Sequence, residues 1–185
     1  RVLFDEDIRQ GYIKQAHRYR RMAFDLRGAP RINGGHYKIV IDPALAKGLA
    51  HEAFGHAAES DAVRFHSILG AKEKFRAGLR VCDESISIVD SSVEGDWAYA
   101  PFSSNGLPRT SVSIIDKGIL KSSLADVYSA REIGCEMTGA SRLESYGDVP
   151  IPRMSNIRLE IENPLPWENP EDRRPERLHA FLLDQ

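Results

Sequence analysis

Thr110-Ser111-Val112-Ser113-Ile114-Ile115-Asp116-Lys117-Gly118-Ile119-Leu120 holds a strand, a turn and the start of a second strand. Polar and apolar residues alternate loosely as far as Ile115, the pattern of a strand with one face toward a core. Asp116-Lys117-Gly118 supplies a tight hairpin turn in which Gly118 can take positive φ. Upstream, Ser85-Ile86-Ser87-Ile88-Val89-Asp90 alternates more strictly, and downstream Ser155 to Glu162 returns to a strand pattern. Helical periodicity dominates the front of the chain. Together these predict an α+β fold in which a mostly antiparallel sheet from residues 85 to 162 packs with a helix.

From Asp5 to Arg27, apolar residues recur at Ile8, Tyr12, Ala16, Tyr19, Ala23 and Leu26, steps of three or four that fit one helix face, before Gly28-Ala29-Pro30 stops the helix. Its other faces carry Arg9, Lys14, Arg18, Arg20, Arg21 and Arg27, either a basic ridge for phosphate or an acidic partner, or a solvated face offset by Asp5, Glu6, Asp7 and Asp25. Beyond Asn33-Gly34-Gly35, the run Tyr37-Lys38-Ile39-Val40-Ile41 reads as a short buried strand. Asp42-Pro43 then caps a helix through Leu45, Leu49, Phe54 and Ala57 to about Ser60. Glu94 to Pro108 contains Gly95, Pro101, Asn105, Gly106 and Pro108, too many breakers for anything but a long surface loop. Asp126 to Ile133 predicts a short helix ending near Gly134, and Thr138 to Arg153 an irregular, proline-bounded segment. Pro164-Leu165-Pro166 reads as a linker, and Pro175 to Leu183 as the start of a further helix.

Twenty-five basic against 27 acidic residues leave a formal charge of −2 over 185 residues, which argues against a dedicated nucleic-acid binder. With 42% hydrophobic and 28% charged residues the chain has a globular composition, long enough to need no disulfide, so its two cysteines can serve as plain core residues. No run approaches the ~20 apolar residues of a membrane span, and no basic stretch followed by an apolar run opens the chain, so a cytoplasmic setting without membrane association is expected.

The segment Gly48-Leu49-Ala50-His51-Glu52-Ala53-Phe54-Gly55-His56-Ala57-Ala58-Glu59-Ser60-Asp61 carries the chemistry. It holds His-Glu-x-x-x-His, one residue longer than the zincin signature, whose histidines four apart share a helix face. At about 100° per residue, positions five apart lie about 140° out of phase on an α-helix, so His51 and His56 reach one ion only if the backbone is distorted. A π-bulge restores convergence, and Gly55 is where the backbone most easily yields or comes close to something. The alternative is two ordinary histidines on a partly buried helix, with Glu52 on its wet side. Glu59 and Asp61 stand either as acceptors that orient the histidines or as a solvated helix end.

These residues, with the later run Arg142-Leu143-Glu144-Ser145-Tyr146-Gly147-Asp148-Val149-Pro150-Ile151-Pro152-Arg153-Met154-Ser155-Asn156, resemble the TldD/PmbA metalloprotease family on its TldD side. The resemblance runs from roughly Tyr37 to Asn156 and includes the hairpin Asp116-Lys117-Gly118-Ile119-Leu120. PmbA-type partner subunits lack the histidine motif, so its presence selects the TldD-like subunit.

The resemblance implies a zinc-dependent peptidase acting on extended or unfolded peptides. His51 and His56 would be ligands, and Glu52 the general base on zinc-bound water. It also implies a dimer, with a PmbA-like partner subunit or a second copy. The family completes its zinc with a cysteine from the C-terminal region, where neither Cys82 nor Cys135 falls, so the third ligand is expected downstream of Gln185. On this reading residues 1–162 are the central part of a TldD-like subunit and 163–185 a linker and the start of a further helix. The piece alone would be inactive. The competing reading is a non-catalytic module for assembly or DNA-gyrase modulation, a label also used for family members, in which the histidines are structural.

Overall fold

The computed structural model describes residues 5–164, and the chain divides between Ile39 and Val40 into two compact units. The first is built on α1 (Glu6–Gly28). Asp5 starts it, its carboxylate accepting from the amides of Asp7 at 3.0 Å and Ile8 at 3.2 Å. No residue of α1 is buried. Tyr37 to Ile41, expected as a short buried strand, is a correction: the segment forms no strand, and Tyr37, Ile39 and Val40 are exposed. Apolar β-branched residues make a strand only where their backbone groups find a ladder partner, which strand propensity by itself does not supply.

The second unit begins with α2 (Pro43–Leu49), capped by Asp42, whose carboxylate accepts from the Leu45 amide at 2.8 Å. Proline at the first position loses no bond that could have formed. The helix runs without a break into a π-helix, Ala50–His56. Glu59 is extended, and α3 (Ser60–Arg64) follows. Two short strands, β1 (Gly70–Ala71) and β2 (Lys74–Phe75), pair with each other.

Next come β3 (Ile86–Ser91), β4 (Val112–Asp116) and β5 (Ile119–Leu120). The helix α4 (Val127–Ile133) is closed at its start by an Asp126–Ser129 capping box and at its end by Gly134 in the left-handed conformation. The two-residue strands β6 (Ser141–Arg142) and β7 (Ile151–Pro152) pair inside the segment read as irregular, and β8 (Asn156–Ile161) ends the described chain. The main sheet has the order β5-β4-β3-β8 and is antiparallel throughout, so the fold is α+β. The linker and helix expected from residue 165 onward lie outside the described residues.

The β4–β5 turn has positive φ at both Lys117 (47°) and Gly118 (77°), the mirror-image turn whose twist matches its strands. The looser alternation of β4 has a physical cause. Ile88 pairs with Ile115 and Val89 with Ser113, so Ile114 sits in a bulge without a Cα partner. Ile114 and Ile115 are consecutive and both fully buried. With Ile88, Leu120 and Leu124 they form the centre of the core, each burial stabilising by about 1.5 to 3 kcal/mol. Ala50, Ala58 and Met154 join the same core, which seats the π-helix against the sheet.

Candidate metal centre

The π-helix supplies the geometry that five-residue spacing denies an ordinary helix. Its i→i+5 hydrogen bonding brings residues five apart onto one side. The imidazoles of His51 and His56 meet edge to face with centroids 4.7 Å apart. One ligand atom from each of His51, Glu52 and His56 lies within 4.8 Å of the others. Glu52 is exposed, while the two histidines are half-buried. Cys82 and Cys135 are free thiols outside this cluster.

Gly55 is the reason the sheet side can approach so closely. A Cβ there would stand 2.6 Å from Met154 Sδ, 2.8 Å from Met154 Cε and 3.0 Å from Ile157 Cδ1. The segment entering β8 therefore rests on the bare backbone of the motif. Its corner is fixed by Asp90, which accepts from the Ser155 amide at 2.7 Å and the Ser155 hydroxyl at 3.1 Å.

Glu59 is 2% exposed and is the hub behind His56. Its Oε2 accepts from His56 Nδ1 at 2.9 Å and from Arg153 Nη1 at 3.1 Å, and its Oε1 accepts from the Met154 amide at 3.2 Å. Burial pushes the Glu59 carboxyl above its ordinary range, and the His56 hydrogen bond and the Arg153 charge oppose that shift. When Glu59 is ionised it can only accept, which puts the His56 proton on Nδ1 and leaves Nε2 to face away from Glu59. Asp61 is placed differently: it accepts from the Ala62 amide at 2.8 Å and from Arg153 at 3.3 Å, and so faces the guanidinium.

Residues 34–171 match the family model described as the PmbA/TldA metallopeptidase C-terminal domain. The chain belongs to the PmbA/TldD metallopeptidase family. A metalloprotease of Methanocaldococcus jannaschii is 33% identical to this family member over 152 residues, 82% of this chain and 33% of the relative. A zinc metalloprotease TldD homolog of Saccharolobus solfataricus is 29% identical over 129 residues, 68% of this chain and 28% of the relative. Among solved structures, TldE from Thermococcus kodakarensis covers 60% of this chain and 26% of its own, at 19% identity and a TM-score of 0.50, a likeness of fold alone. The chain spans about a third of the length of the curated relatives it matches.

Sequence reasoning placed Arg153 inside a motif and gave it no role. The signal that could have found it is chemical: a basic residue in the second motif, matched to Glu59 and Asp61 in the first.

Proposed function

We propose that this chain carries the metal-binding and proton-transfer part of a zinc-dependent peptidase site, with extended or unfolded peptides as substrates. The observation that carries the reading is the convergence of His51, Glu52 and His56 on a π-helix in a chain of a metallopeptidase family. Two converging imidazole nitrogens suit zinc by donor chemistry, and the neighbouring carboxylate of Glu52 suits the role of base. His51 and His56 would hold the ion, with Glu59 orienting His56. Zinc supplies a Lewis acid that polarises a peptide carbonyl and brings the pKa of water toward about 7.

Glu52, exposed beside the ligands, takes the proton of the attacking water and delivers it to the departing amine. The third protein ligand on this reading is a thiolate that neither Cys82 nor Cys135 provides. Residues 1–162 then form the central part of a longer subunit, paired with a PmbA-like subunit or a second copy in the cytoplasm.

The 185-residue chain should take up zinc weakly and cleave no peptide alone. His51→Ala or His56→Ala should abolish that uptake, and Cys82→Ala and Cys135→Ala should leave it intact. In the longer subunit with its partner, Glu52→Gln should retain zinc and lose hydrolysis of an unstructured peptide by at least about 100-fold. Hydrolysis that survives Glu52→Gln, or zinc uptake indifferent to both histidines, overturns the reading.

A further inference from the structure

Arg153 stands 94 residues from Glu59 in sequence and in direct contact with it in space. Its side chain is 20% exposed and that of Glu59 3%. Nη1 donates to Glu59 Oε2 at 3.1 Å, to Asp61 Oδ2 at 3.3 Å and to the Pro152 carbonyl at 2.7 Å, while Nη2 lies 3.6 Å from Glu144 Oε1. The backbone beneath this side chain is itself held. The Arg153 amide donates to the Ala140 carbonyl at 3.3 Å, and the Arg153 carbonyl accepts from Arg109 at 3.1 Å.

We propose that Arg153 is a positioning residue for His56, acting through Glu59 to hold the imidazole with its proton on Nδ1 and Nε2 free. Oε2 of Glu59 is shared between Arg153 and His56, and Oε1 is taken by the Met154 amide, so both oxygens are clamped by the segment Arg153-Met154. A carboxylate so clamped has one orientation left, the one that accepts from His56. Without the guanidinium, Oε2 loses its second donor and the side chain can turn. His56, with 43% of its side chain exposed, is then free to take the other tautomer. Nη1 makes the contacts to Glu59, Asp61 and Pro152 and Nη2 adds Glu144, so a lysine ammonium, on a shorter stem and without the second nitrogen, would keep only part of them.

A purely structural bolt between the two motifs would depend on Asp61 as much as on Glu59, and the two roles separate experimentally. Nitrogen NMR of the metal-free 185-residue chain, labelled at histidine and held about two pH units above the ordinary histidine pKa, reads the tautomer directly. His56 should show the Nδ1–H pattern in the wild type and in Asp61→Asn, lose it in Arg153→Met, and keep part of it in Arg153→Lys. Zinc titration of the same proteins should show affinity about 10- to 100-fold weaker in Arg153→Met and within about twofold of wild type in Asp61→Asn.

The zinc result rests on reading His56 as a ligand, and the tautomer result does not. Zinc uptake unchanged by losing both histidines would sink the metal reading and leave the tautomer to decide Arg153. An undiminished Nδ1–H signal in a folded Arg153→Met chain overturns the proposal, as does equal loss in Asp61→Asn. If circular dichroism shows Arg153→Met unfolded, Arg153→Lys decides, and a full Nδ1–H signal there is the overturning result.

Discussion

Gly55 is the residue at which motif and sheet touch, and it sets the tolerance of the whole site. An added methyl would gain up to about 1 kcal/mol of helix propensity. It would also displace Met154, a residue 5% exposed with little room to retreat, an overpacking cost of about 1 to 3 kcal/mol. The clash should win: Gly55→Ala is expected to lower stability by about 1 to 2 kcal/mol. Part of that loss should disappear in a Met154→Ala background, and chemical denaturation of the four proteins in the cycle measures the coupling. Two independent additive losses would mean that Met154 does not restrain Gly55. The spacing of His51 and His56 is legible in the sequence as a geometric problem with few backbone solutions, and the π-helix is one of them. The role of Arg153 is not legible there, because its partners are 92 and 94 residues away and no local pattern announces a contact of that range.

The starts of α1, α2 and α4 and the β4–β5 hairpin were readable because each is marked locally, whereas α3, which follows a break at Glu59 and has no side-chain cap, was read as the end of the preceding helix. Asp5, Asp42 and Asp126 cap helices as their position suggests, and Gly134 closes α4. Tyr37 to Ile41 was misread for the converse reason: strand propensity says what a residue tolerates, and a ladder partner is not written in the segment. Gly118 is the strictest position in the hairpin. A Cβ there would meet the Asp83 carbonyl oxygen at 2.7 Å, an obstacle of fixed backbone, and φ of 77° adds strain for any other residue. Gly118→Ala should cost about 2 to 5 kcal/mol, well above a Gly→Ala change in an open turn. Thermal unfolding of this variant beside Gly78→Ala, which also has positive φ but no atom within 4 Å, separates the crowding from the strain. Equal losses at the two positions would refute the crowding argument.

Across the molecule, buried carboxylates tie the motif side to the strands, and Asp90 is one of two among the described residues, with Glu59, whose raised pKa makes stability depend on pH. Asp90 is 2% exposed, and burial raises its pKa in the fold, against the opposing pull of the Ser155 hydrogen bonds and of Arg109 and Arg158. A raised folded pKa means that the native state holds this proton more tightly than the unfolded chain does. The contribution is therefore fully present below the unfolded value of about 3.9 and is lost as pH rises through the higher folded value. Asp90→Asn can keep an acceptor for the Ser155 amide and lacks the ionisation. Its stability relative to wild type should improve from pH 4 to pH 7, as urea titrations at the two pH values would show. A difference that moves the other way contradicts the assignment. No described helix is long and apolar enough to cross a membrane.

The contact of Arg153 with Glu59 also makes the chain divisible. Trp97 projects fully into solvent in the loop between β3 and β4, and a cut there would put both histidines and β3 on one piece, and β4, β8 and Arg153 on the other. Neither piece could set His56 by itself, so the tautomer of a single imidazole would report whether two separated halves had found each other.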